Sequence, residues 1–279
     1  MPPRQLALAA LSMLELTPPD MVSCAAAAGF SHVGLRLLPA TSTEPQHDML
    51  GNSPLLQETL QRLQDTGVQV ADVEILRLKA EVDVKSYLPM LESAARLGAR
   101  EVLVAGNDPD FARCVDSFAR LCELGAPLGL SMNIEPMPWT DIRNIGMALQ
   151  LLDAAGQDNA ALLVDAIHFD RAGDSPAALA AVPRQRLHYM QLCDAPAAKP
   201  DSIEQLLYQA RAERMPPGHG GLPLAELLLA LPQDLPIALE VPMHNLAHLS
   251  AIERARLLRT ATEQLLQRTY AANPDVVGA

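Results

Sequence analysis

The sequence predicts an α/β chain folded as one (β/α)8 barrel, and three observations predict it. Eight short apolar runs alternate with longer amphipathic segments along the 279 residues. That length suits one large barrel, which typically needs about 250 residues. No Gly-x-Gly-x-x-Gly follows any of the runs, which counts against the runner-up, a doubly wound dinucleotide-binding sheet. No internal repeat, low-complexity tract or interdomain linker interrupts the pattern, so residues 1–279 read as a single domain.

The expected strands are 6–13, 32–38, 68–76, 101–105, 130–135, 161–165, 187–192 and 236–240. Continuous apolar runs between turn signals are what parallel strands, covered on both faces, require. Helical stretches are expected at 21–28, 53–66, 85–97, 109–124, 140–155, 175–182, 203–213, 223–230 and 249–269. The last is the clearest, with Ile252, Leu257, Leu258, Leu265 and Leu266 at helical spacing among Glu253, Arg254, Arg256, Arg259 and Glu263. Gly29, Gly67 and Gly98 each sit just past a helix, where a left-handed C-terminal cap favours glycine. Residues 272–279 read as a frayed tail. The one irregular connection, from the seventh strand to the eighth, carries an extra amphipathic stretch and then Arg214-Met-Pro-Pro-Gly-His-Gly-Gly221. A long loop at the C-terminal mouth of a barrel is usually functional.

Composition bounds the partners. The chain is 49% hydrophobic and only 3% aromatic, so Ala and Leu fill the interior. A net charge of -12 with no basic patch argues against a nucleic-acid surface, which needs clustered Lys and Arg. Cys24, Cys114, Cys122 and Cys193 show neither a Cys-x-x-Cys pair nor a disulfide spacing, which points to a reducing compartment. Arg4 precedes an apolar stretch at 6–14, but Glu15, Pro18, Pro19 and Asp20 follow where a signal peptide wants a small-residue cleavage site. No run approaches the ~18 apolar residues of a membrane span. A cytoplasmic location is expected, with no membrane and no nucleic-acid partner.

Four oxygen-bearing side chains mark the ends of four consecutive runs. Glu135 closes 130–135, Asp165 closes 161–165, Gln191 lies inside 187–192 and Glu240 closes 237–240. Burying a carboxylate there is costly unless it is paired or metal-bound. No Lys or Arg sits on those runs, so a divalent cation is the expected counter-charge. Three carboxylates and an amide favour Mn²⁺ or Mg²⁺ over a closed structural zinc site, with Zn²⁺ or Co²⁺ also compatible. Any one such carboxylate is more often a salt bridge or a helix N-cap; four in register are harder to explain that way.

Around them lie weaker candidates. His168, three residues past Asp165, is read as a rim residue for general acid/base work or for holding a substrate oxygen, against a loop histidine bonded to backbone. Arg214 offers a fork of donors for a substrate hydroxyl, carboxylate or phosphate, against a cap for the 203–213 helix. Glu74 and Arg36, near the ends of the third and second strands, either line the pocket or pair with each other. His188 should face away from Gln191 and is read as outward or packed; His248 reads as surface, and Trp139 as either pocket wall or core.

Together, Ser131-Met-Asn-Ile-Glu135-Pro136, Val164-Asp165-Ala-Ile-His168, Tyr189-Met-Gln191-Leu-Cys-Asp194, Arg214 with Pro217-Gly-His219-Gly, and Leu239-Glu240-Val-Pro242 resemble the xylose-isomerase-like TIM-barrel superfamily. That superfamily includes sugar phosphate isomerases and epimerases, inosose dehydratases and 3-dehydroshikimate dehydratases. The resemblance runs from about the second strand to the last helix. It implies Glu135, Asp165, Gln191 and Glu240 as metal ligands, with Glu135 and Glu240 also moving protons on two faces of a substrate. It implies substrate contacts for His168 and Arg214. Two departures stand out. The third ligand is often histidine and here is Gln191, as in some 3-dehydroshikimate dehydratases. The Pro-Gly-x-Gly loop commonly carries an acid where this chain has His219, which makes His219 a candidate for substrate charge preference. A DNA-repair endonuclease branch of the superfamily uses many more histidine ligands than a chain with seven histidines and an acidic surface offers.

The expected function is therefore a divalent-metal-dependent isomerase or epimerase of a small sugar or keto-polyol, abstracting a proton beside a carbonyl to give an enediolate. The alternative is a dehydratase of a cyclic keto-acid or inosose, and a second alternative is a non-catalytic sugar-binding barrel. No basic cluster is evident beyond Arg214, which favours an unphosphorylated substrate. A homo-oligomer is compatible with the sequence.

Overall fold

Period-two alternation sorts the side chains of each apolar run to opposite sides of a sheet. Leu8, Val33, Val102, Val104, Ile134, Leu162, Val164, Met190 and Leu239 join one large core with the helices. Ala7, Ala9, Leu103, Ala105, Leu163, Tyr189 and Ala238 form a second, inner core. The computed structural model describes residues 4–273 and shows why two cores arise. Strands β1 (Leu6–Leu8), β2 (His32–Arg36), β3 (Gln69–Lys79), β4 (Glu101–Asn107), β5 (Ser131–Ile134), β6 (Ala160–Asp165), β7 (Leu187–Leu192) and β8 (Ile237–Leu239) pair in chain order. All pairings are parallel, and β1 pairs with β8 to close the barrel.

The helices are α1 (Pro18–Ala28), α2 (Pro54–Thr66), α3 (Leu88–Arg96), α4 (Phe111–Gly125), α5 (Ile145–Ala155), α6 (Ala166–Ala172), α7 (Pro176–Ala180), α8 (Ile203–Ala212), α9 (Leu224–Ala230) and α10 (Ala251–Ala271). Their starts are written in the sequence. Ser53, Asp110, Asn144, Ser175 and Ser202 each accept a hydrogen bond from the first turn, and Ser250 with Glu253 forms a reciprocal capping box. Gly29 ends α1 at φ 82°, a conformation other residues resist.

Three elements depart from the sequence expectation. The first apolar run is strand only for Leu6–Leu8; Ala10–Met13 is a 3₁₀ turn, because Ser12 Oγ donates to Leu239 O and accepts from Val241 N, tying the chain to β8. β3 runs three residues past its expected end, to Lys79. Helix α6 was not anticipated: Asp165 caps it, and His168 lies in its first turn rather than in a loop. The expected frayed tail at 272–279 falls mostly outside the described residues, though Asn273 Nδ2 bonds Thr269 O. Among the described residues, no helix is long and apolar enough to cross a membrane. All four cysteines are buried and free.

Candidate active site

The same alternation that builds the inner core carries it up to the C-terminal mouth. Two residues beyond Leu163 and Tyr189 on their strands stand Asp165 and Gln191; Glu240 directly follows β8, two residues beyond Ala238, and Glu135 directly follows β5, two residues beyond Asn133. All four are buried. A cavity of about 310 Å³ opens over this end, lined by Glu74, Glu135, Trp139, His168, Arg214 and Glu240 among others.

Arg214 organises the floor. Nη1 lies 2.6 Å from Asp165 Oδ2, Nη2 lies 2.8 Å from Glu240 Oε2, and Nε donates to Ala210 O at 2.7 Å. The counter-charge to Asp165 and Glu240 is therefore a guanidinium delivered by the long seventh loop, where the sequence reading looked for a metal alone. Arg214 also caps the end of α8, so its donors are committed to protein groups before any substrate arrives. Asp165 uses both oxygens, Oδ2 on Arg214 and Oδ1 on the amides of Ile167 and His168. Gln191 Nε2 donates to Glu240 Oε1 at 2.9 Å, which turns the amide oxygen the other way.

The carboxyls respond in different directions. Burial alone raises Asp165, but Arg214 and the His168 amide hold it below the usual carboxylate range. Burial pushes Glu240 up to about 8, against the pull of Arg214 and with the repulsion of Glu74 and Asp165. Glu135 is pushed well up by burial and by the charges of Glu240 and Asp165. His168 is lowered to about 4 by burial, so its imidazole is neutral. Its Nε2 lies 3.7 Å from Glu135 Oε1, beyond hydrogen-bond reach, and its ring meets Trp139 edge-on with centroids 4.9 Å apart.

This donor set fits a divalent cation. Ionising Glu135 and Glu240 beside Asp165 would put three carboxylates against one guanidinium in a buried space, which is why both are raised, and a divalent cation would remove that cost. Glu135 Oε1, Gln191 Oε1 and His168 Nδ1 are buried without a hydrogen-bond partner. Ligand atoms of Glu135, Asp165 and His168 lie within 4.8 Å of one another. His168 thus stands nearer this group than a rim position implies.

Other sequence candidates fall into place unevenly. Arg36 and Glu74 line the cavity and pair with each other at 2.7 Å, with Glu44 on the other side of the guanidinium. His219 is exposed and is not among the cavity-lining residues, so the structure does not bring it to the site. His188 packs on Glu101 at 2.9 Å at the opposite end of the barrel. His244 lines the mouth.

Two kinds of residue escaped the sequence reading. Arg77 and Arg211 also line the cavity, which corrects the expectation of no basic cluster beyond Arg214. Arg77 lay just past the expected end of its strand and Arg211 in a solvent-side pattern, so neither carried a signal alone. Asp194 holds the loop that delivers Arg214, its two oxygens accepting the amides of Ala195, Gly218, Gly220 and Leu222 at 2.8–3.0 Å. Gly220 is needed there: a Cβ would fall 2.4 Å from both Ala195 O and Asp194 Oδ1.

Comparison with known proteins adds the lineage. A family model described as xylose isomerase-like TIM barrel matches residues 22–266. A 3-dehydroshikimate dehydratase of Pseudomonas aeruginosa is 30% identical over 156 residues, covering 52% of this chain and 24% of that protein. An inosose isomerase of Halalkalibacterium halodurans is 22% identical over 164 residues, covering 56% of this chain and 55% of that protein. The chain thus spans about a quarter of the first relative and about half of the second. The crystal structure of an IOLI protein with a bound zinc atom superposes with a TM-score of 0.78 at 16% identity, covering 95% of this chain and 99% of that one.

Proposed function

The chain belongs to the xylose isomerase-like TIM-barrel family, and from that premise we propose that it is a divalent-metal-dependent isomerase or epimerase acting beside the carbonyl of a small polyol. The observation that carries this reading is the buried, unpartnered Oε1 of Glu135, set with ligand atoms of Asp165 and His168 within 4.8 Å of one another. When bound, a divalent ion held by Glu135, Asp165, Gln191 and Glu240 supplies Lewis-acid polarisation of that carbonyl. Glu135 takes the proton, because it is the carboxylate least engaged by the protein. Glu240, held by Gln191 Nε2 and Arg214 Nη2, returns a proton from the other face. Arg214 keeps Asp165 ionised and Glu240 oriented through the cycle. His168, neutral and wedged against Trp139, bonds a substrate oxygen rather than storing a proton. Proton return to the same carbon on the opposite face gives an epimer; return to the neighbouring carbon gives an isomer.

A second reading, loss of a β-hydroxyl from a cyclic keto-acid, is favoured by Gln191 in the position where the superfamily often has histidine. Incubation in D2O with ketoses, keto-polyols and cyclic keto-acids, with Mn²⁺, Mg²⁺, Zn²⁺ or Co²⁺ supplied, tests both. Solvent deuterium at the carbon next to the carbonyl, absent in Glu135→Gln, is the expected result. A new ultraviolet-absorbing product instead selects the dehydratase. A protein that binds the ion but exchanges nothing across the panel returns the sugar-binding barrel to the front.

A further inference from the structure

Arginines at the mouth fall into two classes. Arg36 is neutralised by Glu44 and Glu74, and Arg214 by Asp165 and Glu240. Arg77 and Arg211 are not. Arg77 projects from the late part of β3, half-buried, and among the described residues its guanidinium makes a single hydrogen bond, Nη1 to Asn107 Oδ1 at 3.2 Å. Arg211 stands in the last turn of α8, across the same cavity, and makes no ion pair or side-chain hydrogen bond among the described residues. An exposed arginine in water is ordinary. Two that share a cavity, one of them half-buried, are not. Burial, then the charge of Arg211, lower the pKa of Arg77 against the pull of Glu135 and Glu44, so the two guanidiniums repel each other across the cavity.

Both side chains share the cavity with Glu135, His168 and Glu240. A neighbouring cavity of about 300 Å³ shares Ala40, Ile75 and Arg77 with this one and adds Lys79 and Glu81 to the charged groups near the wall. Guanidinium forks match the oxygen pairs of carboxylates and phosphates, and such bonds are stronger than neutral ones. A neutral polyol would leave the repulsion in place; an oxyanion between the two relieves it.

We infer that Arg77 and Arg211 form an oxyanion subsite at the rim of the mouth, so that the substrate carries a carboxylate or a phosphate away from its reacting carbon. This rests on the enolising reading for where that carbon lies, and it narrows the substrate to a hydroxylated keto-acid or a phosphorylated polyol.

Calorimetric titration of the Mn²⁺-loaded protein with inorganic phosphate and with malonate tests it, in wild type, Arg77→Gln and Arg211→Gln, with retained fold checked by circular dichroism. Each substitution is expected to weaken the anion by about tenfold or more while leaving Mn²⁺ content unchanged. The tighter of the two probes assigns the group as phosphate or carboxylate. Equal anion affinity in wild type and both variants overturns the inference, since the anion then sits on the metal or elsewhere. A neutral sugar processed with the same kcat/KM by wild type and Arg77→Gln also overturns it, while leaving the enolising reading intact. Anion binding that depends on both arginines, with no deuterium exchange on any substrate, supports the subsite and sinks the enolising reading instead.

Discussion

The two mouths of the barrel hold cavities of similar size and opposite chemistry. The N-terminal one, about 350 Å³, is lined by Gln5, His32, Gln69, Arg100, Glu101 and His188 among others. The C-terminal one is slightly smaller, at about 310 Å³. At the N-terminal end the titratable groups close on each other: His188 meets Glu101 at 2.9 Å and is raised by that bond, and Asn133 Nδ2 donates to the same oxygen at 2.8 Å. At the C-terminal end Glu135, Gln191 and His168 keep buried atoms unmatched. Between them Asp72 is buried with neither oxygen partnered, and burial and Glu74 push its pKa well up. Volume does not distinguish a site from a dimple here. Buried ligand atoms left unmatched beside one another do.

The largest effect expected from that contrast is on turnover. Glu135→Gln should cost roughly 10²–10⁴-fold in deuterium exchange, while Glu101→Gln at the other mouth should stay near wild type. Comparable losses from both would erase the distinction between the two ends.

Stability comes next. Arg214→Met leaves Asp165 and Glu240 buried without a cation, and urea unfolding of metal-free protein should show a loss of roughly 3–5 kcal/mol. His188→Ala removes a part-exposed pair and should cost about 1 kcal/mol or less. A small loss for Arg214→Met would mean that the carboxylates reach solvent.

The two histidines should also bend the stability curve in opposite directions. His168 has a folded pKa of about 4, below its unfolded value, so the unfolded chain binds the extra proton as pH falls. Stability is lost from about pH 6.5 down to about pH 4, by on the order of 3 kcal/mol when complete. His188 is raised, so its contribution is full below the unfolded pKa and fades as pH climbs through the folded one. Subtracting the profiles of His168→Asn and His188→Asn from wild type isolates each limb. Limbs of the same sign would contradict the assignment.

The last expected change is local. Gly220→Ala places a methyl against Asp194 and Ala195 O, costing roughly 1–3 kcal/mol and loosening Arg214. Unchanged stability would mean that the loop is free to shift.

The barrel, its strand order and the convergence of Glu135, Asp165, Gln191 and Glu240 were legible because period-two alternation is local and strand order follows chain order. Arg214 was visible as a residue but not as a counter-ion, since its partners lie 49 and 26 residues away. Helix α6 is only seven residues long and was hidden behind the reading of Asp165 as a ligand, although the same carboxylate is its cap. Arg77 and Arg211 meet only through the fold, one from β3 and one from α8, and no spacing rule links them.

Asp194 has a consequence for change over generations. One carboxylate gathers four amides of residues 195–222, so the path of that loop is fixed by its backbone and two glycines as well as by the buried Pro217 and Leu222. The side chain of His219 is exposed and takes no part in those bonds. Within 215–222 the exposed position 219 can therefore vary while Asp194 and Gly220 keep the guanidinium of Arg214 at the same depth in the barrel.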